Sequence, residues 1–238
     1  MMHASKPLAL KYVPLAWVAV LLTSLTIELL MIVGLDLHTL AIILNLSTTW
    51  LPSLIMYGSY QLVVVLSLIH ILHRKIGASL RDLGFKDTMK RYYVFAAILV
   101  LVSSVLWSFC DYIVSSFELS MWWSKEPGTV IKTLPDLLVL SIYPVLLCSP
   151  LEEILYRGYL LTATLQRARR IWLAFTINAL IFASIHYAFG PGVILFIFLW
   201  TYIPCWLYYK SGSIYPSILF HSLNNLLAYV ALPLLFQP

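Results

Sequence analysis

Charge is what this chain has least of. Fifteen Lys and Arg with ten Asp and Glu make up only 11% of its 238 residues, where a soluble domain carries about 25%. So thin a polar coat excludes a water-facing surface. Regular alternation of apolar and polar residues is also missing, which excludes a transmembrane barrel built from strands of about 10 residues. Cysteine is scarce. Cys110, Cys148 and Cys205 all fall in apolar segments without metal-like spacing, so they read as buried free thiols rather than a disulfide or zinc framework. No Gly/Ser linker, low-complexity tract or repeat breaks the sequence. We therefore expect one membrane domain over 1–238, with N-terminal spans and a loop in 1–133 and a catalytic core in 134–236.

What remains is apolar. Hydrophobic residues reach 61% and the mean hydropathy is +0.90. Continuous runs of about 20 such residues match the length a helix needs to cross a hydrocarbon core of about 30 Å. The expected fold class is an all-α polytopic membrane helix bundle of about seven transmembrane helices. The spans are placed at 12–35, 50–73, 92–117, 134–165, 171–189, 192–209 and 213–236. Lys6 and Lys11 before the first run imitate a signal peptide. That run is too long and lacks a small-residue cleavage site, so a membrane anchor is expected.

Basic residues orient the chain. With a cytoplasmic N-terminus, twelve Lys and Arg fall on the inner side, among them Arg74, Lys75, Arg81, Arg167, Arg169, Arg170 and Lys210. Only Lys125 and Lys132 fall outside. This positive-inside bias favours the cytoplasmic membrane of a prokaryote and also accounts for the net charge of +5 without nucleic acid. The short apolar stretch 39–46 is expected to be interfacial or an extension of span two, since a separate span would spoil that count. The loop 74–91 mixes apolar and basic residues, as an amphipathic piece at the cytoplasmic interface would. Trp122 and Trp123 beside Lys125 and Glu126 suit the outer aromatic belt.

Ionisable groups inside a bilayer are costly and default to functional hypotheses. Within the spans stand Glu152, Glu153, Arg157, His186 and His221, with the amides Asn224 and Asn225. Glu28 also lies well inside span one, with no motif around it, and Asp111 lies near the outer end of span three. Glu153 and Arg157 are four apart with the acid first, the better orientation for an ion pair. That leaves Glu152, about 100° around the helix, to face elsewhere. Asn178, Phe182 and His186 share one stripe of span five; His221 and Asn225 share one of span seven. At 1.5 Å per residue, Glu152, His186, His221 and Asn225 come out about 12–22 Å from the cytoplasmic ends of their helices, so three helices bring costly groups to similar depth. Pro150 withholds a backbone hydrogen bond, by the ordinary helical register from the Leu146 carbonyl.

Peptide hydrolysis needs an activated water, a placed carbonyl and donors for the developing oxyanion. A carboxylate in a low-dielectric pocket serves as base near neutral pH, a histidine can hold the water, and a second histidine with an amide can stabilise the oxyanion. Glu152, His186, His221 and Asn225 supply that set. Glu152, His186 and His221 also match a ligand set of catalytic zinc, so the residues alone leave metal-bound and metal-free water open.

Three motifs carry a resemblance. Glu152-Glu153-Ile154-Leu155-Tyr156-Arg157, then Phe182-Ala183-Ser184-Ile185-His186, then His221-Ser222-Leu223-Asn224-Asn225 resemble, in order, the pattern of the CPBP family of membrane CAAX proteases and bacteriocin-processing, Abi-like proteins. The resemblance covers about 134–230. It implies Glu152 as the base, His186 as its helper on the water, His221 and Asn225 as the oxyanion hole, and Glu153, Arg157 and Phe182 as supports. The family is often described as metalloproteases, yet the resemblance also allows a glutamate mechanism without metal, which is the form expected here. A membrane-associated peptide or protein is the expected substrate, and CAAX is not read as its sequence. A non-catalytic membrane scaffold or bacteriocin self-immunity protein is the main competing reading. A proton-coupled transporter is the third, and the sequence lacks its usual paired halves.

Overall fold

In lipid a backbone can satisfy its own polar groups by coiling into a helix, and every regular element among the described residues is helical. The computed structural model describes residue 8 and residues 37–48, 50–122, 131–187 and 189–236. Its helices are α1 (Leu37–Ile43), α2 (Leu51–Ile76), α3 (Arg91–Ser116), α4 (Leu134–Leu165), α5 (Ile171–Ser184), α6 (Pro191–Ser211) and α7 (Tyr215–Phe236). Five of them, α2, α3, α4, α6 and α7, are long and apolar enough to cross a membrane. They match five of the spans expected from hydropathy to within a few residues. The expected first span, with Glu28, Lys6 and Lys11, lies outside the described residues, as do Trp123, Lys125 and Glu126.

Two expectations change. Span five was expected to reach residue 189, but α5 stops at Ser184 after 14 residues, about 21 Å. The chain turns there toward Gly190, whose φ of 144° and following Pro191 open α6. The stretch 39–46 is no extension of span two. α1 is a separate helix of 7 residues, ended at Asn45 by a φ of 52°.

Helix ends follow local chemistry. Thr133 caps α4 by accepting from the Asp136 amide, and the Asp136 carboxylate answers the Thr133 backbone, a reciprocal capping box. The last turn of α2 carries His73, Arg74 and Lys75, whose charge suits the negative end of the helix dipole. Within α4, two segments, Ser141–Cys148 and Ile154–Leu161, wind as π-helix on either side of Ser149–Glu153. Such widened turns are rare and often mark functional positions.

The chain divides into two compact units, each drawing on residues from both sides of position 134. One holds residues 9–78, 128–152 and 221–238. In it α2 packs against the first π-segment of α4. Gly58 permits that approach, because a Cβ there would lie 2.8 Å from Tyr143 Cδ1 and 3.2 Å from Cys148 Sγ. Asp136 also ties this unit together by accepting from the Ser47 amide at 2.8 Å.

The other unit holds residues 1–8, 79–127 and 153–220. Here α3 buries Ala96, Val100, Ser103, Cys110 and Val114 and turns Val94, Ile98, Leu101, Val105, Phe109 and Tyr112 outward. Both sets recur at the spacing of one helical face, and the outward one is the face lipid would cover. The loop 74–91 is anchored to the helices of this unit. Its short turn Leu80–Leu83 buries Asp82 and Leu83, and the Gly84 carbonyl accepts from the Ile214 amide at 2.9 Å. Gly158 makes room for it, since a Cβ there would stand 2.8 Å from the Leu83 carbonyl oxygen. Because that neighbour is backbone, Gly158→Val should cost about 1–3 kcal/mol through overpacking. Thermal unfolding in detergent should show the loss as a lower Tm.

Candidate active site

In the first unit, Glu152 comes from the short α-helical piece between the two π-segments of α4. It is buried, 6% exposed, and cannot stand without partners there. Two groups of α2, one turn apart, meet its Oε1. The Tyr57 hydroxyl donates at 3.1 Å and Gln61 Nε2 at 3.0 Å. Gln61 Nε2 also donates to the Tyr57 oxygen at 2.9 Å, so the three groups form a closed network. The other carboxylate oxygen, Oε2, faces His221 of α7, whose Nε2 lies 3.6 Å away. That separation is longer than a direct hydrogen bond and suits a shared water or a transferring proton.

Asn225, one turn beyond His221, has a different set of partners. Its Nδ2 donates to the Pro144 carbonyl and to Ser149 Oγ, both at 3.0 Å. An amide carries two hydrogens, and both are engaged with α4. The expected oxyanion donor is thus occupied here in holding the irregular helix beside Glu152. The register of that helix also departs from expectation. The Ser149 amide bonds the Pro144 carbonyl, five residues back, so the bond Pro150 withholds is owed to Val145 rather than Leu146. Ser222 supplies it, donating from Oγ to the Val145 carbonyl at 2.9 Å.

In the second unit, Glu153 and Arg157 form the expected ion pair at 2.9 Å, with both side chains fully buried. The guanidinium lies over the Phe182 ring, 4.7 Å from its centre, and 5.7 Å from that of Trp200, which offers the cation two aromatic faces. Asn178 donates to the Tyr156 carbonyl at 2.7 Å and accepts from Cys205 Sγ at 3.3 Å. The three-residue stripe of span five is therefore split in function. Asn178 and Phe182 serve the acid-bearing helix, while His186 stands past the end of α5, in the turn after Ser184. Its Nδ1 meets the Phe182 carbonyl at 2.8 Å. Since a carbonyl only accepts, Nδ1 carries the proton, and in the neutral ring Nε2 carries the lone pair.

Among the described residues no three His, Cys, Asp or Glu side chains gather closely enough to hold a metal ion. No step below is routed through a metal. Tyr57, Gln61, Ser149 and Ser222 are site residues that ionisable-group reasoning passed over. A lone amide at Gln61, in the middle of an otherwise apolar run, was the available signal.

A family model described as Rce1-like, type II CAAX prenyl endopeptidase Rce1-like, matches residues 134–227. Residues 134–227 thus carry an Rce1-like CAAX prenyl endopeptidase domain, the kind of domain that the three motifs resemble. No curated protein matches the chain, nor does any solved structure. The match begins at α4 and ends in α7, so it spans all three motifs and leaves α2 outside. The matched domain is that of an intramembrane endopeptidase.

The ion pair yields a directional prediction. Removing one member strands the other charge in an apolar interior, which costs about 3–5 kcal/mol. Glu153→Ala should therefore destabilise the protein strongly. Glu153→Met with Arg157→Met should recover much of that loss, as seen in thermal unfolding of the purified protein.

Proposed function

We propose that this protein hydrolyses a peptide bond of a membrane-associated peptide or protein, using water activated by Glu152. The observation that carries the reading is the approach of Glu152 Oε2 to His221 Nε2 at 3.6 Å, with Oε1 already bound by two donors. One oxygen is held and the other is turned toward a proton-bearing partner. A base must lie within hydrogen-bond reach of its water, directly or nearly so.

The proposed chemistry follows from those positions. Glu152 Oε2 takes a proton from water as the water oxygen bonds to the scissile carbonyl carbon. Negative charge develops on the carbonyl oxygen, and His221 donates to it. Collapse breaks the C–N bond, and the departing amine takes the proton that Glu152 holds. His186 is proposed as a further catalytic residue on the strength of the motif that carries it, its tether to Phe182 leaving the Nε2 lone pair in the neutral ring. Asn225 acts on the oxyanion if one of its amide hydrogens is released from α4, and otherwise keeps α4 in shape beside Glu152. The bilayer is both solvent and source of substrate. The charge distribution of the loops supports a cytoplasmic N-terminus, and the proposed location is the cytoplasmic membrane of a prokaryote.

Glu152→Ala and His186→Ala should each lower cleavage by about 100-fold or more, the scale of general-base catalysis, while the proteins insert and fold. Mass spectrometry of membrane peptides from cells carrying the intact protein or Glu152→Ala should reveal substrates that accumulate with the variant. An unchanged peptide profile with the biological effect retained would instead favour the scaffold or immunity reading.

A further inference from the structure

We infer that Tyr57 and Gln61 of α2 are positioning residues for Glu152: together they grip Oε1 and so commit Oε2 to the His221 side. This rests on the proposed role of Glu152 and adds a helix outside the matched domain to its machinery.

Three observations converge. First, both donors reach the same carboxylate oxygen, at 3.1 Å from Tyr57 and 3.0 Å from Gln61. A freely turning carboxylate has two equivalent oxygens. Two donors on one of them remove that equivalence and hold the rotation about the last bond of the side chain. Second, the approach of α2 that makes this reach possible depends on Gly58, which lies between the two donors in sequence and faces Tyr143 and Cys148 of α4. Donor, small contact residue and donor thus share about one turn of one helix.

Third, the Gln61 amide is turned at a cost. Gln61 is 3% exposed, and its Oε1 is buried without a hydrogen-bond partner among the described residues, a penalty of about 1–3 kcal/mol. The flipped amide would aim that oxygen at the Glu152 carboxylate and lose both donations. Hydrogen bonds to a charged acceptor are the stronger kind, so the acid dictates the orientation of the amide. A merely space-filling side chain at 61 would be better served by Leu or Met.

The other titratable groups around Glu152 in this unit are Cys148 of α4 and His221 and Tyr229 of α7. Carbodiimides add to a carboxyl oxygen, so dicyclohexylcarbodiimide, which partitions into membranes, reports on how firmly the two donors hold the Glu152 carboxyl group. The test uses the full chain in liposomes, with Gln61→Met, Tyr57→Phe and the double variant. Labelling at Glu152 is read by peptide mass spectrometry and is independent of any activity. Each donor lost should speed labelling roughly tenfold, the weight of one hydrogen bond to a charged group.

The second arm measures cleavage of a farnesylated, internally quenched CAAX-type peptide. There the variants should lose kcat about tenfold or more with little change in KM, and Glu152→Ala should be inactive. Tyr57→Phe removes one oxygen and keeps the ring, so it decides the matter if Gln61→Met does not fold. Unchanged labelling in the folded variants overturns the inference whatever the enzyme cleaves. So does a kcat equal to that of the intact protein. Faster labelling in a protein whose intact form does not cleave this peptide upholds the grip on Glu152 and excludes a prenylated CAAX substrate instead.

Discussion

Two adjacent carboxylates on one membrane helix impose the constraint that the rest of this protein meets. A charge in an apolar interior needs a partner or a network of donors, and neighbours in a helix face directions about 100° apart, so one partner cannot serve both. Glu153 is answered within its own helix, by Arg157 four residues on at 2.9 Å. Glu152 is answered by α2 on one oxygen and faces α7 on the other. The first solution is closed within one helix. The second leaves one oxygen opposite a histidine, the position from which the proposed chemistry starts.

The helices bend their own rules to reach these solutions. π-Helical turns flank Ser149–Glu153, and the carbonyls they release are taken up by Ser149, Ser222 and Asn225. Irregular backbone at membrane depth survives where protein groups resatisfy it, and here those groups come from α4 itself and from the motif of α7. Asn225 shows how a motif residue can serve the backbone of a neighbouring helix. Its amide holds the backbone from which Glu152 projects.

Glycines act at two close approaches in a comparable way. Gly58 admits α4 against α2, and Gly158 admits the Leu80–Leu83 turn against α4. Between lipid and protein the hydrophobic effect gives helices little reason to associate, so close packing and buried polar contacts must do it. The docking of that turn buries Leu83 against protein.

Hydropathy by itself determined the class, the helical architecture and most span boundaries, because a lipid environment admits few alternatives to a continuous apolar helix. The cost of ionisable groups marked Glu152, Glu153, His186 and His221, and the i,i+4 rule paired Glu153 with Arg157, since both are local properties of one chain segment. Only tertiary structure decided what meets Glu152. Tyr57 and Gln61 lie some 90 residues earlier, and a single amide in an apolar run is too common to single out. It also decided that α5 ends before His186, that the proline defect falls due at Val145, and that Asn225 spends its hydrogens on α4. Those outcomes depend on which side chains of other helices arrive to satisfy each polar group, and a one-dimensional pattern does not encode that.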